Sequence, residues 1–201
     1  MDFDFHRAGP SCVVLAHGLT GDRSMGGRFD RLRAGLHAAG LSSLAFDFSR
    51  PPRLEAHVAE LREAVSACGC ERAGLFGQSW GALVCMQARP DLPMVLAAPP
   101  TGPIDYPEEL LRPLREAVPD ETLALFARLQ PPRLQRPALL VHGDAGWEEQ
   151  TLLARTRAAL GSMPAGTRLE VLQGADHSLR ARYDDVIRLT AEFFSAELRL
   201  E

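Results

Sequence analysis

The chain has 201 residues, enough for one domain with a full core. Hydrophobic residues make up 46% and charged residues 24%, the balance of an ordinary folded chain and not of a disordered one. The net charge of -4 excludes a general attraction to nucleic acid or to an anionic membrane surface, and the absence of any Lys excludes Schiff-base chemistry.

The start, Met1-Asp2-Phe3-Asp4-Phe5-His6, lacks a basic region followed by an apolar core, so no targeting signal is expected. No apolar run has the length of a membrane span, and the expected location is the cytoplasm. Cys12, Cys68, Cys70 and Cys85 do not make a disulfide framework in a chain of this length. Cys68 and Cys70 stand too close for a zinc knuckle and no His pair answers them. The expectation is buried thiols in a reducing compartment, and no metal.

In chain order, Ser11–Ala16 reads as a buried strand ending in His17-Gly18-Leu19-Thr20-Gly21. A helix is expected over 27–39, with Phe29, Leu32 and Leu36 near helical spacing and Gly40 as its stop. A second strand covers 41–48. Pro51 and Pro52 then open a helix over about 53–67, with Leu54, Val58, Leu61 and Val65 on one face. The third strand, 73–76, runs into Gly77-Gln78-Ser79-Trp80-Gly81 and a helix to about Arg89. Further strands are expected at 94–98, 138–142 and 167–172, and a last helix at about 182–198 carries Val186, Leu189, Phe193 and Phe194.

Short apolar strands alternating with amphipathic helices predict an α/β fold: a mainly parallel sheet with helices on both faces, in a single domain over 1–201. Residues 99–137 break the rhythm. They are Pro-rich at both ends, with two short helices expected at about 107–117 and 120–129, and they form either a crossover with long linkers or a small helical lid.

Ligands of such sheets sit at the carboxyl ends of the strands, so the residues just after each strand are the functional candidates. A Gly-x-Ser-x-Gly pattern between strand and helix holds its middle residue on a sharp turn with the hydroxyl clear of the sheet, which makes Ser79 a candidate nucleophile. Asp144 follows the fifth strand, in His142-Gly143-Asp144, and His177 follows the sixth, in Gly174-Ala175-Asp176-His177. Nucleophile, acid and histidine in that order predict a Ser79–Asp144–His177 triad. His17 and His142 are expected to bond backbone in their His-Gly turns, and His37 and His57 to lie on exposed helix faces. Asp176 is expected to be structural.

From about residue 11 to 198 the chain resembles the α/β-hydrolases, and among them small esterases of the carboxylesterase, feruloyl-esterase or dienelactone-hydrolase type. His17-Gly18-Leu19-Thr20-Gly21 resembles the oxyanion loop of that family, which implies that the Leu19 N–H and the Trp80 N–H bind an oxyanion. Ala175-Asp176-His177-Ser178-Leu179 resembles the loop of the catalytic histidine. Three departures accompany the resemblance. Only about ten residues precede the first strand, which implies a small sheet of about six parallel strands. Asp47-Phe48-Ser49-Arg50-Pro51-Pro52 replaces the usual Gly-rich loop. The family's usual acid position falls on Gly146, which leaves Glu148, Glu149 and Asp105 as alternatives to Asp144.

The resemblance implies a serine hydrolase that cleaves small carboxylic esters with short or compact acyl groups through an acyl-enzyme. It implies no cofactor, no metal, and a small-molecule ester as partner, with neither nucleic acid nor membrane; the chain is expected to be a monomer or homodimer. Thioesterase or peptidase activity would use the same residues. The reading from another class is a binding protein that keeps the fold without the triad, to which Gly146 at the acid position points.

Overall fold

The computed structural model describes residues 2–198. Its single sheet has seven strands. They are β1 (Phe3–His6), β2 (Ser11–Ala16), β3 (Ser42–Phe46), β4 (Arg72–Gln78), β5 (Met94–Ala97), β6 (Ala138–Gly143) and β7 (Arg168–Leu172), in the spatial order β1-β3-β2-β4-β5-β6-β7. Strands β2 to β7 are parallel neighbours, and β1 is added at the edge, antiparallel to β3 with Phe3 opposite Phe46. The expected parallel strands are thus present, together with one edge strand that the sequence reading leaves out. Phe3 and Phe5 alternate with Asp4 and His6 over too few residues to register as a strand without its partner.

The helices are α1 (Arg28–Ala38), α2 (Leu54–Ala67), α3 (Trp80–Ala88), α4 (Glu108–Leu111), α5 (Asp120–Phe126), α6 (Trp147–Ala159) and α7 (Tyr183–Glu197). Strand side chains point alternately to the two faces. Cys12, Val14 and Ala16 of β2 face Leu61 of α2, Val84 of α3, Phe126 of α5 and Leu152 of α6. Val13 and Leu15 face Phe29, Leu32 and Leu36 of α1, and Val186 and Phe194 of α7. Every residue of β2 is buried, as a strand covered on both sides must be. Among the described residues no helix is long and apolar enough to cross a membrane.

Strand order reverses at β2, with β3 on one side and β4 on the other, so a crevice opens above the carboxyl ends of β2 and β4. The two helices expected between β5 and β6 are present in shortened form. Helix α4 ends after one turn, where Pro113 cannot continue it, and passes into a 3₁₀ turn over Arg112–Leu114. Helix α6, between β6 and β7, has no counterpart in the sequence reading, and it proves to carry a residue of the site.

Candidate active site

The elbow between β4 and α3 is built by two close approaches. A Cβ on Gly77 would stand 2.6 Å from the backbone of Ala82, and one on Gly81 would stand 2.0 Å from the carbonyl oxygen of Ala16. Strand and helix can reverse this tightly only with glycine at both places. Between them Ser79 takes φ 54° and ψ -115°, a conformation costly for a residue with a side chain. The Ser79 N–H donates to the Ala97 carbonyl at 2.8 Å, which holds the turn in place from β5.

Above this turn stands His177. Its Nε2 is 2.9 Å from Ser79 Oγ, and its Nδ1 is 3.0 Å from Glu149 Oε2. The carboxylate facing the imidazole is therefore Glu149, in the first turn of α6, and not Asp144. Asp144 accepts a hydrogen bond from the Gly174 N–H at 2.7 Å and so ties the end of β6 to the turn after β7. Its side chain holds the loop that carries the histidine, and its position directly on the strand end points it away from the ring. Gly146 opens α6, and the acid arrives one helical turn later. Glu148, also among the sequence alternatives, is 3.6 Å from His177 Nε2 and accepts from the Tyr106 hydroxyl at 3.0 Å. It faces the nitrogen that serves Ser79, the wrong side for a residue that orients the ring. No hydrogen bond or ion pair from Asp105 to His177 is recorded among the described residues.

Glu149 is fully buried and well supplied with donors. Its Oε1 accepts from the Gly143 N–H at 2.9 Å and from His142 Nδ1 at 2.7 Å, and its place in the first turn of α6 adds the favourable end of the helix dipole. Burial alone would raise its pKa. The hydrogen bonds from His142 and His177 outweigh that, and they hold the carboxyl down at about 2. An ionised Glu149 requires hydrogen on Nδ1 of both rings. His177 then presents a bare Nε2 to Ser79, and His142 Nε2 accepts from Thr156 Oγ1 at 2.9 Å. Thr156, its proton committed to His142, accepts in turn from Thr101 at 2.8 Å. His142 thus bonds side chains and not the backbone expected of a His-Gly turn.

Burial pulls the His177 pKa down, but the Glu149 hydrogen bond and the charges of Glu148, Glu149 and Asp176 prevail, and it lies above the ordinary histidine value. Asp176 is otherwise structural, as its position suggests: one carboxylate oxygen accepts from the Ser178 N–H and from the Ser178 hydroxyl.

The expected oxyanion residues lie beside Ser79. Gly18 is so near that a Cβ there would touch Ser79 Cβ at 3.8 Å, and Leu19 follows it along the wall of the cavity. His17 anchors this loop, donating from Nδ1 to the Gly18 carbonyl at 2.8 Å and accepting the Phe48 N–H on Nε2 at 3.0 Å. Arg50, from the loop that departs from the family pattern, donates to the carbonyls of Leu19 and Gly21, each at 2.6 Å. Trp80 opens α3. Its fully buried indole donates to His57 Nδ1 at 2.9 Å, and His57 Nε2 donates to the Ser49 carbonyl at 2.9 Å. His57 is therefore buried against Trp80 and stacked on Phe48, contrary to the expectation of an exposed helix face. His57 stands in the first turn of α2, close enough to the 47–52 loop for its ring to reach the Ser49 carbonyl.

These groups open into a cavity of about 880 Å³. The 99–137 segment supplies one wall, with Tyr106, Leu111, Leu114, Leu123 and Phe126, while Met25 and Trp147 close other sides. Leu179, two residues after His177, is fully buried in the core.

The model of the alpha/beta hydrolase family matches residues 13–192, most of the chain. This chain belongs to the alpha/beta hydrolase family. Among solved structures it is similar to a dienelactone hydrolase from Anabaena variabilis, at 18% identity and a TM-score of 0.70, over 98% of this chain and 92% of that one. It is also similar to a monoacylglycerol lipase from Paleococcus ferrophilus, at 18% identity and a TM-score of 0.72, over 98% of this chain and 100% of that one. An esterase from Exiguobacterium antarcticum matches at 14% identity and a TM-score of 0.71, over 95% and 94% of the two chains. At these identities the likeness is one of alpha/beta hydrolase fold. No curated protein matches the chain in sequence.

Proposed function

We propose that this alpha/beta hydrolase is a serine hydrolase of small carboxylic esters, with Ser79 as nucleophile, His177 as general base and acid, and Glu149 as the carboxylate that orients the ring. The observation that carries the reading is the continuous chain from Ser79 Oγ through both nitrogens of His177 to Glu149, with spacings of 2.9 and 3.0 Å. Ser79 attacks the ester carbonyl while its proton passes to His177 Nε2, and the Leu19 and Trp80 N–H groups receive the charge that develops on the carbonyl oxygen. Trp80 suits this because it stands in the first turn of a helix, where backbone N–H groups lack helical acceptors. His177 then returns the proton to the departing alkoxide, and water activated by the same nitrogen releases the acid from Ser79. The leucines of the 99–137 segment favour an apolar acyl or alcohol group in the cavity, and that segment acts as a small lid. A binding protein without turnover would have no use for a buried carboxylate held ionised behind the histidine, which disfavours that alternative.

The test is the pH profile of p-nitrophenyl acetate hydrolysis. His177 must be neutral to accept the Ser79 proton, and its pKa is raised, so kcat/KM is low at acid pH and climbs through an inflection above the ordinary histidine value. Glu148→Gln removes one of the charges that raise it, so the inflection moves to lower pH while the enzyme stays active. An unmoved inflection, or a flat profile with chemistry limiting, would count against His177 as the base.

A further inference from the structure

Three cysteines that the sequence leaves unrelated meet at the opposite end of the sheet from Ser79. Cys12 is the second residue of β2 and pairs with Ala73 of β4; Cys68 caps the end of α2, and Cys70 follows in the loop that leads to β4. Their three sulfurs lie within 4.8 Å of one another, and all three thiols are free. Ser79 is six residues beyond Ala73 along β4, which at about 3.3 Å per residue puts the two places roughly 20 Å apart.

The spacing of Cys68 and Cys70 is too short for a zinc knuckle, and that was the reason to expect no metal here. Parallel pairing of β2 with β4 changes this by delivering the third sulfur from a strand more than fifty residues upstream. Sulfurs bound to one metal at about 2.3 Å stand about 3.8 to 4.0 Å apart, so the observed cluster needs only a small contraction. No His, Asp or Glu joins the group among the described residues, so the donor set is sulfur alone. Sulfur donors without nitrogen or oxygen select soft cations, and three of them without a fourth ligand suit trigonal copper(I) better than structural zinc, which takes four. Cys12 is fully buried and Cys68 nearly so, among Val14, Leu61, Ala64 and Val65, while half-buried Cys70 gives a route from solvent.

We propose that Cys12, Cys68 and Cys70 form a trigonal thiolate site for a soft monovalent cation of the copper(I) class, separate from the hydrolytic site. Binding exchanges the three thiol protons, released to solvent, for one cation, with no change of oxidation state. The Cys68 thiol gives up its hydrogen bond to the Val65 carbonyl, now 3.1 Å, when it becomes a ligand.

The fully reduced protein is titrated with copper(I) under anaerobic conditions against bicinchoninate as competitor. The wild type is expected to hold one equivalent, with sulfur alone around the metal by X-ray absorption. Cys70→Ser, in a loop that tolerates the change, loses about 100-fold or more in affinity, since even outer-shell partners are worth about 10- to 100-fold. Cys12→Ser behaves likewise, and Cys85→Ala binds as the wild type does; circular dichroism checks the fold of each. The proposal is overturned if the wild type surrenders its copper to the competitor. It is equally overturned if Cys70→Ser and Cys12→Ser hold copper as tightly as the wild type, or if nitrogen or oxygen completes the metal's shell. Ester hydrolysis is not the readout, so either conclusion can fail without the other.

Discussion

Ser79→Ala is expected to lower kcat for ester hydrolysis by about 10⁶, the scale on which removal of a triad nucleophile acts, or about 8 kcal/mol of activation free energy at 1.36 kcal/mol per tenfold. Ser178, the serine nearest in sequence to His177, has its hydroxyl bonded to Asp176. The fold should survive. Ser79 holds φ 54° because strand and helix leave no other path, and among the described residues its hydroxyl bonds only His177. Thermal unfolding of the variant should match the wild type or come slightly later. Retained turnover in protein free of contaminating hydrolase would remove Ser79 from its role.

The second large effect separates Glu149 from Asp144. In Glu149→Gln the Oε1 position can still accept from Gly143 and His142, but an amide NH₂ can face His177 Nδ1. The ring then turns its lone pair to that NH₂ and carries its proton on Nε2, where it can no longer take the Ser79 proton. Loss of the carboxylate in comparable triads costs on the order of 10⁴ in kcat, or about 5 kcal/mol. Asp144→Asn should leave kcat within a few-fold, because an amide oxygen can accept the Gly174 N–H as the carboxylate does. Steady-state kinetics on the two variants, with folding checked by circular dichroism, gives the comparison. The reverse order of effects would return the acid's role to Asp144.

Why the carboxylate beside His177 is hard to find from the strand ends is visible in the residues themselves. Strand ends are legible where runs such as Cys-Val-Val-Leu-Ala and Ala-Leu-Leu-Val are apolar without interruption, while Ser79 and His177 are legible from their motifs, Gly77-Gln78-Ser79-Trp80-Gly81 at the end of β4 and Ala175-Asp176-His177 after β7. Glu149 has neither signal. It belongs to α6, whose buried face runs through Glu149, Leu152, Leu153, Thr156 and Ala159 at helical spacing. The helical period puts Glu149 on the inward face and Glu148 off it. The signal is weak because the stripe itself carries two polar residues, Glu149 and Thr156, among only three apolar ones. His57 was misplaced for a related reason. Its burial depends on Trp80 and Phe48 from two other elements, and nothing local to α2 announces them. Edge strand β1 and the sulfur cluster share that character, since each exists only through pairing with a distant strand. The His17-Gly18-Leu19-Thr20-Gly21 loop is readable as a motif, but its clamp by Arg50 is not, because that contact joins two loops with no periodicity of their own.

Activation of Ser79 by its contact with His177, as proposed, is reported directly by a fluorophosphonate probe. Incubated with the probe at neutral pH, the wild type should gain one adduct by intact mass, mapped to the peptide that carries Ser79. Labelling should be abolished in Ser79→Ala and strongly slowed in His177→Ala and Glu149→Gln. A folded wild type that takes up no probe at Ser79, or that labels as fast without His177, would contradict it.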